Sequence, residues 1–195
     1  MEPTRVVTGR ALPLGRANVD TDQIIPSHWL KRIERTGYAP GLFEAWRKDP
    51  SFVLNDDRYR GANILIAGAN FGGGSSREHA VWALQEAGFR AVIAPTIADI
   101  FKSNAIKNGL IPVELRADTV SRLLAAVEAD AKTVITVDVV LRTVAAPGVK
   151  ASFPLAGFLQ TQLLDGLDEI ALTLRHEADI AAFETKRAEW LPRVR

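Results

Sequence analysis

The stretch "ANILIAGANFGGGSSREHAVWALQEAG", from Ala62 to Gly88, decides the fold expected of this chain. It opens with "ANILIAG", an apolar run of strand length, which is typical of a β-strand covered on both faces. A loop with three glycines, two serines and an arginine follows, and apolar residues then recur at helical spacing from Ala80 to Ala87. Loops between such a strand and helix are where open α/β sheets bind ligands.

The same alternation continues toward the C-terminus. "AVIAP" (91–95) and "LIPVEL" (110–115) predict two further buried strands. Between them "TIADIFKSNAIKNG" predicts a helix, with Thr96 as its N-cap and Asn108-Gly109 as its end. "TVSRLLAAVEADA" predicts a third helix.

The two ends of the chain complete the pattern. "RVVTGRALPL" (5–14) predicts an early strand, and "NVDTDQIIP" (18–26) is rich in turn formers and predicts a loop. "TVITVDVVLRTV" (133–144) predicts one strand that pairs with "VKASFPL" (149–155) as a hairpin. We therefore expect a single layered α/β domain over residues 1–195, with a partly parallel sheet and a C-terminal helical tail from about residue 157, interrupted near Gly166.

Composition excludes several classes of protein. The 195 residues carry a net charge of +1, and the basic residues are spread along the chain, so no nucleic-acid partner is expected. No apolar stretch approaches the roughly 18 residues that a membrane span needs. The opening "MEPTRVVTGR" lacks the pattern of a signal peptide, and we expect a cytoplasmic protein.

Metal-ligating residues are scarce. The chain has no cysteine, so it can form neither a disulfide nor a cysteine-held cluster. Its three histidines, His28, His79 and His176, form no pair with metal-ligand spacing. We expect no metal site and no cofactor in this chain, so any metal chemistry must come from another polypeptide.

The glycine loop itself has two interpretations. It lacks the lysine of a Walker loop, the third glycine of a dinucleotide loop and the pattern of a nucleophile elbow. Ser75 and Glu78 fit a helix capping box, which is a purely structural explanation. Three glycines, a helix start and Arg77 equally suit a small anionic ligand, because backbone N–H groups and a guanidinium can both bind it.

Several separated motifs resemble one family. "GGGSSREHAVWAL" is similar to the Gly-Ser-Ser-Arg-Glu signature of the swivelling domain in the aconitase superfamily, and "DTDQIIP" is similar to an upstream motif there. "FVLND", "IADIFKSNAIKNGLIPVEL" and "GLDEIALTLRH" resemble the small subunits of 3-isopropylmalate dehydratases, so the likeness covers nearly the whole chain.

The resemblance implies an aconitase-type swivelling β/β/α fold and a hydro-lyase activity. It implies a heterodimer with a separate large subunit, whose three cysteines hold a [4Fe–4S] cluster. The expected substrate is a small dicarboxylate, 2-isopropylmalate, which is dehydrated and rehydrated to 3-isopropylmalate in leucine biosynthesis. The alternatives are the small subunit of a related hydro-lyase, such as homoaconitase or a methyl-substituted malate hydratase, and a non-catalytic domain that binds small anions.

The resemblance also assigns roles to residues of the loop. Ser75 matches the catalytic serine that, as an alkoxide, removes a proton next to a carboxylate. Arg77 matches the arginine that binds a substrate carboxylate, and Ser76 adds a further polar group. Asp22 and Gly74 are expected to support these groups, with an Asx-turn as the structural alternative for Asp22. His79 is expected to be structural rather than a base.

Substrate choice is expected to depend on "WLKRI", residues 29–33. In relatives that process tricarboxylates, an arginine stands where this chain has Ile33. An apolar side chain cannot pair a third carboxylate, whereas Ile33 and Leu30 could pack against an isopropyl group. Two alternatives remain: Ile33 anchors the loop to the core, or Arg32 moves into the vacated place.

Overall fold

The structure is a computed structural model that describes residues 1–188, 190 and 191. Its centre is a seven-stranded sheet in the order β4-β3-β2-β1-β5-β6-β7. Strands β1 to β4 pair in parallel and β5 to β7 pair antiparallel, so the expected partly parallel sheet is confirmed. The strands are β1 Val6–Pro13, β2 Ile64–Ile66, β3 Ala91–Ala94, β4 Ile111–Glu114, β5 Val134–Asp138, β6 Thr143–Ala146 and β7 Val149–Ser152.

Helices cover the sheet and form the C-terminal tail. They are α1 Thr21–Ile24, α2 Glu44–Arg47, α3 Glu78–Glu86, α4 Asp99–Asn108, α5 Ala117–Ala129, α6 Gly157–Asp165, α7 Glu169–Leu174 and α8 Glu177–Lys186. Short 3₁₀ turns lie at Ser27–Lys31, Ala39–Gly41, Val53–Asn55 and Asp57–Tyr59. None of the helices in the described part of the chain is long and apolar enough to cross a membrane.

The core lies at the centre of the parallel half of the sheet. Every residue of β2 and β3 is buried, as their continuous apolar runs predict. Helix α5 packs against β1 on one side of this core, and α3 packs against α4. Each aliphatic side chain buried here contributes about 1.5–3 kcal/mol of transfer free energy, so these runs fix the register of the sheet.

The segment expected to be one strand, residues 133–144, is two strands, and that prediction is wrong. β5 ends at Asp138, whose carboxylate accepts a hydrogen bond from the Leu141 N–H (2.8 Å). Arg142 then adopts a positive φ of 54° before β6 begins. An aspartate whose carboxylate accepts hydrogen bonds from the N–H groups of following residues stabilises a turn. The alternation of apolar residues in this segment gave no sign of that turn.

The segment expected to be a loop, residues 18–26, contains helix α1. Asp20 accepts a hydrogen bond from the Gln23 N–H (2.8 Å), and the Gln23 side chain accepts one from the Asp20 N–H (3.0 Å). This reciprocal capping box stabilises a helix of four residues, which is too short to show helical periodicity.

The end of α4 is as predicted and its start is not. The helix ends at Asn108, and Gly109 follows with a φ of 82°, the left-handed conformation that favours glycine. Its N-cap is Ala98, not Thr96, because the Thr96 hydroxyl accepts a hydrogen bond from the Asn70 N–H (2.8 Å). Thr96 therefore holds the glycine loop rather than the helix.

In the described residues the C-terminal tail is helical, with two interruptions. Gly166 ends α6 with a φ of 67°, and a second break at Arg175 and His176 separates α7 from α8. The predicted tail extends to residue 195, and its positions 189 and 192–195 lie outside the described residues.

Gly72 and Gly73 offer a matched test of the loop's packing. Gly72 has a φ of 77°, and an added Cβ would overlap the ring of the buried Phe101. At Gly73 the nearest atom to an added Cβ belongs to the Asn70 side chain, at 3.7 Å. Gly72→Ala is expected to lower the free energy of unfolding by about 2–4 kcal/mol, because it combines a strained φ with overpacking.

Urea titration of both variants measures the free energy of unfolding. Gly73→Ala is the control and should lower it by less than about 1 kcal/mol. Equal losses for the two variants would show that the Phe101 contact does not constrain the loop.

Candidate functional site

The candidate site forms where two loops meet. The Gly72 N–H donates to the Val19 carbonyl (2.7 Å), and the Thr21 N–H donates to the Gly73 carbonyl (2.9 Å). The Thr21 hydroxyl donates to the Ser75 carbonyl (2.8 Å). These three hydrogen bonds join residues 19–21 to the glycine loop after β2. Thr21 was not among the residues predicted from the sequence, because its signal is a buried hydroxyl that only the structure shows.

The glycines do not all serve a ligand. Gly72 and Gly74 have φ values of 77° and 86°, so both need glycine. The Gly72 N–H is already bound to Val19, and Gly73 contributes its carbonyl to Thr21. The Gly72 N–H is therefore not available to an anion.

Free backbone donors begin after the paired residues. Within the part of the chain that the structure describes, the N–H groups of Gly74, Ser75 and Ser76 donate no hydrogen bond. All three residues are exposed. These successive donors immediately precede a helix N-terminus, a combination that favours negative charge.

Ser75 is not a helix cap. Helix α3 begins at Glu78, its N-cap is Arg77, and no side chain caps it. The Glu78 carboxylate instead accepts a hydrogen bond from the Asn108 side chain (2.8 Å). The capping-box interpretation is therefore wrong, because Ser75 lies in the exposed loop, ahead of the first helical turn.

Arg77 and Asp22 are brought together as an ion pair. The Arg77 Nη1 lies 2.5 Å from Asp22 Oδ1 and donates a second bond to the Ile25 carbonyl (3.3 Å). The Arg77 side chain is 12% exposed and that of Asp22 is 58% exposed. Asp22 thus orients Arg77 from the first turn of α1. The structural alternative, an Asx-turn at Asp22, is wrong, since Asp22 Oδ1 binds Arg77 and Asp20 caps that helix.

The Nη1 bonds leave one edge of the guanidinium unused. Both Nη1 hydrogens have acceptors, in Asp22 and Ile25, while Nε and Nη2 have none among the described residues. Nε and Nη2 together form the planar edge that binds a carboxylate through two parallel hydrogen bonds.

His79 belongs to an aromatic cluster next to the site. Its ring packs 5.4 Å from the buried Tyr38 and 4.7 Å from Trp82. Burial lowers the pKa of the His79 imidazole below its usual value; the Glu78 carboxylate raises that pKa, and Arg77 lowers it further. Its place in this cluster agrees with the structural role expected for His79. Trp29 and Trp82 also pack against the core.

The segment "WLKRI" lies at the end of the 3₁₀ turn Ser27–Lys31. Ile33 is 95% exposed, so it does not anchor the loop to the core, and that alternative is wrong. Leu30 is half-buried. Arg32 is engaged elsewhere, because its Nη1 donates to the Gly37 carbonyl (3.0 Å) and its guanidinium lies 5.5 Å from the Trp29 ring.

Metal-ligating side chains do not cluster in the residues that the structure describes. No group of three or more His, Cys, Asp or Glu side chains there could hold a metal ion. The reactive groups of the site are therefore a serine hydroxyl, free backbone donors and one arginine, held together by α1 and the glycine loop.

Family models match both ends of the chain. The aconitase C-terminal domain matches residues 1–118, which include every element of the candidate site. The C-terminal domain of the 3-isopropylmalate dehydratase small subunit matches residues 169–194.

Individual proteins match over the full length. The 3-isopropylmalate dehydratase small subunit of Parafrankia sp. (strain EAN1pec) is 62% identical over 192 residues, covering 98% of each chain. That of Rubrobacter xylanophilus is 59% identical over 194 residues, covering 100% of each. A crystal structure of 3-isopropylmalate dehydratase from Methanocaldococcus jannaschii has a TM-score of 0.65 at 26% identity, and the match covers 91% of this chain and 98% of that one.

The lowered pKa of His79 predicts a pH dependence of stability. The folded chain disfavours the protonated imidazole relative to the unfolded chain, so the unfolded chain binds more protons as the pH falls through the ordinary histidine range. The His79 contribution to stability is therefore complete above about pH 6.5 and is lost as the pH falls below it. His79→Phe should reduce the loss of Tm between pH 7.5 and pH 5.5, measured by calorimetry. An unchanged or larger loss in that variant would contradict the assignment.

Proposed function

Since the chain belongs to the family of 3-isopropylmalate dehydratase small subunits, we propose that its Ser75 loop supplies the base and the carboxylate-binding groups of that enzyme's active site. Members of this family are subunits of a hydro-lyase of leucine biosynthesis and work with a large subunit. The observation that carries the proposal is the position of Ser75, which is exposed and does not cap helix α3. It lies among backbone N–H groups that donate no hydrogen bond within the described residues.

Any [4Fe–4S] cluster of the assembled enzyme belongs, in this proposal, to the large subunit. This chain has no cysteine to hold a cluster. When bound in the partner, such a cluster supplies a Lewis acid for the substrate hydroxyl. The residues of this chain act on the other reacting group, the C–H bond.

Ser75 is the proposed base. Its alkoxide takes a proton from the carbon next to a carboxylate, the C–H electrons form the double bond, and hydroxide leaves from the neighbouring carbon. Addition of water with the opposite regiochemistry gives 3-isopropylmalate. A free serine hydroxyl is too weak an acid to ionise at neutral pH, so the alkoxide needs stabilisation from the N–H groups of Gly74, Ser75 and Ser76 and from the helix N-terminus.

Arg77 is the proposed carboxylate-binding residue. Its Nε–Nη2 edge is unused among the described residues, and Asp22 fixes the opposite side of the guanidinium. Asp22 therefore orients Arg77, and the Ser76 hydroxyl adds a donor to the bound anion. The substrate in this proposal is the dicarboxylate 2-isopropylmalate.

Ile33 and Leu30 are the proposed contacts of the isopropyl group. Ile33 is 95% exposed in the separate subunit, so its apolar surface is available for contact with a substrate or a partner. Each methylene-sized group that it removes from water contributes about 0.8 kcal/mol. A third carboxylate in the same place would be desolvated without a partner, because Arg32 is bound to Gly37.

Reconstitution tests the proposed function. The chain should be co-expressed with a large subunit of the family and assayed anaerobically for alkene formation from 2-isopropylmalate. The mixture is expected to turn over and the purified chain alone is not. Turnover by the chain alone would contradict the proposal, and so would an inactive mixture that binds only small anions.

Ser75→Ala should reduce kcat by about 10³-fold or more, with assembly and KM nearly unchanged, because only the proton-abstracting group is lost. Ser121→Ala, on the exposed face of α5, is the matched control and should retain full activity. Near wild-type turnover of Ser75→Ala in the steady-state assay would assign the base to another residue.

Arg77→Lys should raise KM and lower kcat together, because an ammonium group keeps the charge but cannot form two parallel hydrogen bonds. We expect a loss in kcat/KM of about 10²-fold, or ~2.7 kcal/mol. Steady-state kinetics with 2-isopropylmalate measure it. A change in kcat/KM of less than twofold would show that Arg77 does not bind the substrate.

Ile33→Arg should erode the preference for 2-isopropylmalate and admit a tricarboxylate weakly. The introduced guanidinium removes an apolar contact, at a cost of about 1–3 kcal/mol, and offers a partner for a third carboxylate. The ratio of kcat/KM values for 2-isopropylmalate and homocitrate measures the effect. A wild-type enzyme that turns over both substrates equally well would contradict the assignment.

A further inference from the structure

A single carboxylate fixes the segment that follows the "WLKRI" loop. Glu86, the last residue of α3, accepts hydrogen bonds from three successive backbone N–H groups. Its Oε1 accepts from Gly37 (2.9 Å), and its Oε2 accepts from Tyr38 (2.5 Å) and Ala39 (3.1 Å). Such charge-assisted bonds are about twice as strong as neutral ones, so Glu86 determines the backbone conformation here.

The residue Gly37 is held from both sides. Glu86 binds its N–H, and Arg32 Nη1 donates to its carbonyl (3.0 Å). Gly37 has a φ of 87°, and an added Cβ would lie 2.9 Å from Arg32 Nη2. The Arg32 guanidinium also lies 5.7 Å from the Tyr38 ring. Because Arg32 is bonded to Gly37, the conformation of Gly37 determines where the Arg32 side chain lies. Arg32 directly precedes the exposed Ile33 in the sequence.

We propose that Glu86 is a positioning residue for substrate selection, which holds Arg32 on Gly37 so that Ile33 alone faces the substrate. This inference rests on the proposed function, in which Ile33 contacts the isopropyl group. Without the Glu86 carboxylate, Gly37 is free to move, and the Arg32 guanidinium gains access to the place of a third carboxylate. Glu86 itself touches no substrate.

The fold does not depend on Glu86. The Glu86 side chain is exposed, whereas Tyr38 is fully buried and packs against Trp29, His79 and Trp82. The Tyr38 hydroxyl also donates to the Glu34 carbonyl (2.9 Å). Tyr38 therefore keeps this segment attached to the core in a Glu86 variant, and the expected disturbance is confined to residues 32–39.

Glu86→Gln is the test variant, because it removes the charge and one acceptor oxygen at nearly constant volume. Glu128→Gln, at an exposed position of α5, is the matched control. In the full chain, amide exchange measured by mass spectrometry should be about tenfold faster at residues 37–39 in Glu86→Gln and unchanged in the control.

The holoenzyme, assembled with a large subunit, gives the second measurement. Glu86→Gln should raise KM for 2-isopropylmalate about tenfold, or ~1.4 kcal/mol, with kcat changed by less than about twofold. It should also gain turnover of homocitrate. Adding Arg32→Ala to Glu86→Gln should remove that gain, an effect that a general loss of stability would not produce.

Unchanged amide exchange would overturn the inference, and so would an unchanged KM or a homocitrate activity that persists without Arg32. Turnover of 2-isopropylmalate by the wild-type holoenzyme is measured in the same series. Absence of that wild-type activity would be a failure of the proposed function itself, so the two failures are distinguishable.

Discussion

The backbone pairing between residues 19–21 and residues 72–73 is the constraint on which the site depends. It consists of two hydrogen bonds, from the Gly72 N–H to the Val19 carbonyl and from the Thr21 N–H to the Gly73 carbonyl. The Thr21 side-chain hydroxyl adds a third, to the Ser75 carbonyl. Thr21 and Ser75 are 54 residues apart in sequence. Without this pairing, Asp22 and Arg77 would belong to two independent loops, and neither could orient the other. The geometry of the candidate site thus depends first on main-chain hydrogen bonds between the two segments.

The sheet explains why these two loops meet. β1 and β2 are parallel neighbours, so the chain leaves both strands at the same edge, which is where α/β sheets bind ligands. Leaving β2, the chain passes Phe71, which is buried against Phe101, and then needs a left-handed residue at Gly72 to return toward Val19. Gly74 is the second residue with a left-handed conformation, and it turns the backbone away from residues 19–21. Ser75 and Ser76 are therefore exposed before α3 begins. The loop therefore uses its glycines chiefly to shape the backbone.

The sequence predicted the elements that are long and apolar, and it failed where a single polar side chain decides the structure. Strands β2 and β3 and helix α5 follow directly from their apolar patterns, because burial dominates their stability. Asp138 divides a predicted strand, and Asp20 creates a helix of four residues, and neither effect alters apolar periodicity. At the site, the motif around Ser75 and Arg77 was recognisable from sequence. The contributions of Thr21 and Glu86 were not, because each acts on backbone groups distant in sequence.

Thr21→Val in the assembled holoenzyme is the measurement that tests this account most directly. Valine preserves the shape of the buried side chain and removes only the hydroxyl that donates to the Ser75 carbonyl. The loss of one hydrogen bond should cost about 1 kcal/mol in the free energy of unfolding. If the pairing positions the base, kcat for 2-isopropylmalate should fall about tenfold or more while KM changes little. An unchanged kcat in a folded Thr21→Val holoenzyme would contradict the claim that residues 19–21 hold Ser75 in place.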